Sequence, residues 1–203
     1  MIIGITGGTG CGKTTALRAI AELGGTVIDC DEVYHRLLET DTALLDAIEA
    51  RFPGTVLEGV LQRKLLGELV FSNEEALLDL NAITHSAVKA EVLRLLTPQP
   101  KLAAIDAIAL FEGGLAQLCD TTVAITAPEE SRIARLMARE GIAKEYATAR
   151  IAAQKSNTCF SALCDHTLHN DETEEDFRAK CLGFFTSLVI IEENTAKEND
   201  HDN

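Results

Sequence analysis

The stretch GITGGTGCGKTTALRAI, residues 4–20, sets glycines and small residues ahead of a lysine and two threonines, then turns into an apolar pattern of helical spacing. Gly7, Gly12, Lys13 and Thr14 satisfy the pattern G-x-x-x-x-G-K-[ST]. Glycines let the chain curl until successive N–H groups converge on one anion. The helix that follows adds unpaired N–H donors and the positive end of its dipole. In such a loop Lys13 reaches the β- and γ-phosphates of a nucleotide, and the Thr14 hydroxyl is offered to Mg²⁺. A plain glycine-rich turn is the alternative. The flanking strand and helix, which a phosphate-binding loop requires, weigh against it.

Working outward, MIIGIT before the loop is short, apolar and β-branched, so it reads as a buried strand. From Lys13 to Leu23, Leu17, Ile20 and Ala21 recur at helical spacing until Gly24 and Gly25 stop the helix. TVID (26–29) reads as a second buried strand. Strand, helix and strand at this length make a βαβ unit, hence an α/β fold whose parallel sheet carries helices on both faces.

Residues 32–98 differ in texture. VYHRLLETDTALLDAIEARF, LQRKLLGELVF and EEALLDLNAITHSAVKAEVLRLL are amphipathic and helical, and read as an insertion ending at TPQP (97–100). LAAIDAIALF (102–111) and TTVAITA (121–127) return to buried strands. PEESRIARLMARE and KEYATARIAAQ are helices separated by Gly141. DHTLHND (165–171) is a short last strand, and TEEDFRAKCLGFFTSLVIIEE a closing helix. The domain reading is a core of 1–34, 101–127 and 164–192, a helical insertion of 35–100, a lid of 128–163 and a disordered tail of 193–203.

With 203 residues, one sizeable core is expected. A net charge of −14 argues against non-specific binding to nucleic acid, so an anionic substrate needs a local basic patch. No apolar run reaches the length of about 18 residues that a membrane span requires. The start, Met1-Ile2-Ile3-Gly4, lacks a basic segment, so no signal peptide is expected. The 6 cysteines show no CxxC and no zinc spacing, and are expected to be free thiols in a reducing cytoplasm. A thiolate is favoured near a helix N-terminus, which raises oxidative inhibition at Cys11 or Cys30 as a minor reading.

Two further clusters bear on chemistry. In VIDCDEVYH, Asp29 and Asp31 fall where the second parallel strand ends, the edge at which open α/β sheets place ligands. A carboxylate there accepts a hydroxyl proton or holds magnesium through water; the bland alternative is Asp31 capping the helix DEVYHRLL. Arg132, Arg135 and Arg139 fall at i, i+3 and i+7, roughly on one helical face, with Gly141 as a hinge. Arginines on a mobile helix neutralise a transferring phosphoryl group. A solvated face paired with Glu129, Glu130 and Glu140 is the alternative.

In order and spacing, GITGGTGCGKTT, GTVIDCDEVYH, LQRKLLGELVF, LNAITH, ALFEGGL and RLMAREG…RIAAQ resemble the dephospho-coenzyme A kinases, from residue 2 to about 190. The resemblance implies a core similar to the nucleoside monophosphate kinases, with a helical domain for the coenzyme A precursor and a lid. It implies transfer of the γ-phosphate of ATP to the ribose 3′-hydroxyl of dephospho-CoA, the last step of coenzyme A synthesis, with Mg²⁺ as cofactor. By position, Gly8, Gly10, Gly12, Lys13, Thr14 and Thr15, with Thr9 and Cys11 in the same loop, hold the ATP phosphates, and Thr14 the magnesium. Asp31 matches the family's proposed base, Asp29 its acidic partner and Arg139 the lid arginine. Arg63, His85 and Glu112 fall in motifs near the acceptor. A packed histidine at His85 and a strand end at Glu112 are the plainer readings. The chain departs from the pattern at Ser86 and Ala109, where proline is usual, at Cys11, where serine is common, and at Phe160, where a basic residue is usual. Two other readings stay open: a kinase of another small acceptor, and a nucleotide-binding protein without turnover. The N-K-x-D guanine reader of GTPases is absent from the sequence.

Overall fold

The computed structural model describes residues 1–201, with side chains through Glu192. The chain divides into two compact units. The first comprises Met1–Val27, Pro100–Leu110 and Ala116–Asn203, and the second Ile28–Gln99 and Phe111–Leu115.

The sheet has the order β2-β5-β1-β6-β7, formed by β1 (Ile2–Thr6), β2 (Thr26–Asp29), β5 (Ala103–Asp106), β6 (Thr121–Thr126) and β7 (His166–His169). The pairs β1–β5, β1–β6 and β6–β7 are parallel, with Ile5 opposite Asp106 and Val123, and Thr126 opposite His169. Side chains on both faces of the central strands are buried: Ile3, Ile5, Ala104, Ile105, Val123 and Ile125 are all inaccessible to solvent. Such burial is why these strands read as continuous apolar runs rather than alternating ones.

Helix α1 (Lys13–Glu22) buries Ala16, Leu17, Ala19 and Ile20 in one cluster with Phe177, Cys181 and Phe185 of α9 (Glu174–His201). It ends as its glycines require. Gly24 takes φ +82°, and the Gly25 N–H returns to the Ile20 carbonyl. Helices α6 (Glu129–Glu140) and α7 (Lys144–Ala152) pack on each other through a small core of their own, Ile133, Leu136, Ala147 and Ile151. A further helix, α8 (Asn157–Leu163), follows them.

In the second unit, the long amphipathic stretch expected at 33–52 is two helices, α2 (Cys30–Thr40) and α3 (Thr42–Arg51). Asp41 breaks it: its extended backbone ends α2, and its carboxylate accepts from the N–H groups of Ala43 and Leu44 to start α3. A two-stranded hairpin follows, β3 (Val56–Leu57) and β4 (Val60–Leu61), turned at Glu58 and Gly59, both at positive φ. Helices α4 (Arg63–Val70) and α5 (Glu74–Leu96) complete the unit, with α5 packed against α2, α3 and α4.

One expected strand is shorter than its apolar run. β5 ends at Asp106, and residues 108–114 are turns. Leu110 within them is fully buried, so apolarity there reflects packing rather than pairing. Of the tail expected to be disordered, 193–203, the backbone of 193–201 continues α9, and 202–203 lie outside the described residues.

Candidate active site

The loop between β1 and α1 is shaped from outside. Gly12 caps α1 in the left-handed conformation, φ 102° and ψ 21°, and offers no side chain to the first turn. In that turn the Thr15 N–H closes onto the Gly12 carbonyl at 3.0 Å, while the N–H groups of Lys13 and Thr14 have neither an intrahelical partner nor a side-chain cap from Gly12. The loop carbonyls, by contrast, are all occupied. Gly7 O accepts from Lys13 Nζ (3.1 Å), Gly8 O from the Cys11 N–H (3.3 Å) and Thr9 O from Arg132 Nε (2.9 Å). Gly10 O accepts from Arg135 Nη1 (3.2 Å) and Cys11 O from Asn170 Nδ2 (2.8 Å). The oxygens that would repel an anion are tied to donors. The Thr9 and Cys11 amides are taken too, by Gln154 Oε1 and the Gly8 carbonyl, and those of Gly8, Gly10, Gly12, Lys13 and Thr14 are left to face it.

The close fit explains two glycines. A Cβ on Gly7, at φ +141°, would lie 2.2 Å from the Ile125 carbonyl oxygen, and one on Gly12 would lie 2.2 Å from Asn170 Nδ2. Asn170 is buried just after β7, and its Oδ1 also accepts from Arg135 Nη2 at 3.1 Å. Gly12, Thr15, Arg135, Asn170, Glu172 and Glu174 line a cavity of about 330 Å³ beside the start of α1.

Arg132 is only 3% exposed, and its guanidinium bonds to the Thr9 carbonyl and to Gln154 Oε1 (3.0 Å), both neutral. A buried cation against neutral partners raises the positive potential at the loop and calls for an anion. Lys13 adds a second cation, turned in this state onto the carbonyl of Gly7.

The arginine face expected on α6 divides. Arg132 and Arg135 grip the loop, whereas Arg139, at the helix end, bonds Glu140 at 2.6 Å. Seven residues of helix carry Arg139 about 10 Å along the axis from Arg132, too far to share the loop. Arg150 of α7 bonds the same Glu140, and the two guanidiniums, Arg139 first, hold that carboxyl below the usual range. Of the three glutamates considered as partners for the α6 arginines, Glu140 takes that role.

Cys11 is fully buried. Burial raises its thiol pKa despite the opposing charges of Arg132 and Lys13, so it is a protonated packing residue and not the exposed thiolate that oxidation needs. Cys30 is buried as well.

The remaining expected site residues belong to the second unit. The cap of α2 is Asp29, not Asp31: Asp29 Oδ1 accepts from the N–H groups of Asp31 (2.8 Å) and Glu32 (3.2 Å). The Asp31 carboxylate is thereby spared the capping role and stands exposed on the first turn of α2. One turn on, Tyr34 is partly buried; burial raises its phenol pKa and the Arg63 charge works against that shift. Arg63 opens α4 and, with Lys64, Leu57, Val60 and Leu65, lines a hollow of about 620 Å³. His85 lies on α5, where partial burial lowers its pKa and keeps the ring neutral near pH 7. Glu112 lies exposed in the turns after β5 rather than at a strand end.

The sequence profile of the family described as Dephospho-CoA kinase matches residues 1–176. The chain belongs to the dephospho-CoA kinase family. Among relatives, the dephospho-CoA kinase of Dehalococcoides mccartyi is 38% identical over 88% of this chain and 92% of its own. That of Thermobifida fusca is 35% identical over 92% and 95%. A solved structure, the dephospho-CoA kinase from Campylobacter jejuni, superposes with a TM-score of 0.65 at 26% identity, over 93% of this chain and 96% of that one.

Two loop partners escaped the reading from sequence, Gln154 and Asn170. Gln154 closes the quoted RIAAQ block of the dephospho-CoA kinase pattern, so its place there was a signal. Asn170 lies in DHTLHND, where only a strand was legible. Phe160, a departure from that pattern, is 2% exposed within α8 and is a core side chain. The cations at the loop come instead from Arg132 and Arg135.

Proposed function

We propose that this chain transfers the γ-phosphoryl group of ATP to the ribose 3′-hydroxyl of dephospho-CoA, yielding coenzyme A and ADP. One observation carries the reading at the donor side: five consecutive loop carbonyls are tied back while Arg132 is buried against neutral partners beside them. That arrangement is built for a polyphosphate. Membership of the dephospho-CoA kinase family supports the acceptor.

The proposed division of labour follows from each side chain's chemistry. The amides of Gly8, Gly10, Gly12, Lys13 and Thr14, with the Lys13 ammonium released from the Gly7 carbonyl, hold the β- and γ-phosphates. Asp31 orients the 3′-hydroxyl and accepts its proton late, as the new P–O bond forms and the bond to the ADP oxygen breaks. Asp29 fixes the backbone that carries Asp31. Arg139 spreads charge on the transferring group once it exchanges Glu140 for phosphate. Arg63 and Lys64, beside apolar Leu57, Val60 and Leu65, suit an acceptor with anionic and apolar parts. His85, neutral, serves there as a hydrogen-bonding group, with Glu112 as a further acceptor contact.

Among the described residues no group of three or more His, Cys, Asp or Glu is placed to hold a metal by itself. The exposed Thr14 hydroxyl fits Mg²⁺, which takes few protein ligands and completes its shell with phosphate oxygens and water. Bound there, Mg²⁺ would neutralise charge on the β- and γ-phosphates. No helix among the described residues is long and apolar enough to cross a membrane, and the six free cysteines accord with a cytoplasmic site of action.

The test is ADP release, coupled to a reporter, with dephospho-CoA set beside adenosine, AMP and shikimate. Turnover confined to dephospho-CoA is expected. Faster turnover of any other acceptor, or none with dephospho-CoA, overturns the assignment.

A further inference from the structure

Gln154, the second residue beyond α7, is bonded to the phosphate loop at more points than its place in the chain requires. Its Oε1 accepts from the Thr9 N–H (2.9 Å) and from Arg132 Nη2 (3.0 Å), and its Nε2 donates to Thr9 Oγ1 (2.8 Å). Arg132 Nε in turn donates to the Thr9 carbonyl. The N–H, hydroxyl and carbonyl of Thr9 are thus all held by one amide and one guanidinium. Both come from the α6–α7 segment, whose two helices share the small core of Ile133, Leu136, Ala147 and Ile151. The segment cannot shift against the loop without breaking bonds at Thr9.

We infer that Gln154 is a positioning residue for ATP: it sets the shape of the phosphate loop through Thr9 and couples nucleotide binding to the placement of α6 and α7. The inference rests on the ATP site proposed above. An amide suits the post because it gives and accepts at once. Glutamine supplies an acceptor for two donors and a donor for the hydroxyl oxygen, a pattern that leucine cannot make and that glutamate makes only by turning the Thr9 hydroxyl and setting a negative charge beside the loop. The effect is preorganisation, so it falls on nucleotide affinity before it falls on chemistry.

The test uses the full chain and a non-hydrolysable ATP analogue with Mg²⁺, titrated by calorimetry. Gln154→Leu is expected to weaken analogue binding about 10-fold, the scale of lost bonds that hold a loop in shape. Its KM for ATP should rise in step, with KM for dephospho-CoA within about twofold of wild type. Thr9→Val, which removes only the hydroxyl bond, should weaken the analogue less, and the double variant should fall within about twofold of Gln154→Leu, which already lacks that bond. Additive losses, or equal rises in both KM values, overturn the inference. If Gln154→Leu fails to fold by circular dichroism, Gln154→Met replaces it; that side chain keeps the length and loses both the donor and the acceptor, and wild-type affinity there overturns the inference. Wild-type protein that binds the analogue yet does not phosphorylate dephospho-CoA would refute the assigned reaction alone, leaving the variants to decide the role of Gln154.

Discussion

Replacing Asn170 by alanine should loosen the phosphate loop from beneath. The side chain is 4% exposed, donates to the Cys11 carbonyl at 2.8 Å and accepts from Arg135 at 3.1 Å. Truncation strands the buried Cys11 carbonyl, a loss of about 1–3 kcal/mol, whereas Arg135 is partly exposed and water takes up much of its share. A total of about 2–4 kcal/mol follows, and at about 2–4 °C of Tm per kcal/mol in a chain of this size, calorimetry should show a fall of roughly 4–16 °C. Analogue binding should weaken at least about 10-fold, because the freed carbonyl no longer has to point away from the anion. Asn170→Asp separates causes. It keeps the shape and puts a charge beside Arg135, but sets a carboxylate oxygen against the Cys11 carbonyl and adds a negative charge near the phosphates. It should bind the analogue no better than Asn170→Ala. If Asn170→Asp matches wild type in Tm and affinity, the ion pair with Arg135 dominates and the reasoning from the carbonyl fails.

Lys13→Ala should slow turnover by roughly 10²-fold or more while leaving Tm nearly unchanged, since its one bond here is to the Gly7 carbonyl; equal loss of stability would point to a structural role. Asp31→Asn should spare analogue binding and lower kcat, because the exposed carboxylate is not the α2 cap; kcat within about threefold of wild type would remove it as the base. Asp29→Ala should instead cost about 1 kcal/mol of stability in urea unfolding through the lost cap. The Asp165 carboxylate, bonded by the hydroxyl and N–H of Thr122, is held below the usual aspartate range. A depressed folded pKa stabilises above the unfolded value of about 4 and is lost as pH falls through the folded one. The stability gap between wild type and Asp165→Asn should therefore narrow below about pH 4, and a gap constant from pH 7 to 2 would rule the linkage out.

The core and the loop were legible for a physical reason. MIIGIT and TTVAITA are buried on both faces, and buried parallel strands announce themselves as apolar runs. TVID, expected to be buried as well, forms the edge strand β2 with Thr26 and Val27 exposed, because an edge strand has no neighbour on one side. The glycines and Lys13 stand in one short window, so their chemistry is local. The supports of the loop are not. Asn170 and Gln154 reach Cys11 and Thr9 across 159 and 145 residues, a relation that no local pattern encodes. The hairpin at 56–61 was hidden by Glu58-Gly59, which turns without the Asn-Gly or Asp-Gly signal. Helix period alone placed three arginines on one face; axial distance, which period ignores, sent Arg139 to Glu140.

Those long-range ties bear on biosynthesis. The residues that would grasp ATP leave the ribosome among the first, yet the side chains that shape their backbone emerge only after most of the chain has been translated. Affinity for nucleotide is therefore a late-acquired property, gained when β7 docks beside β6 and brings Asn170 home. An ATP column would retain finished molecules and pass nascent ones released before residue 170.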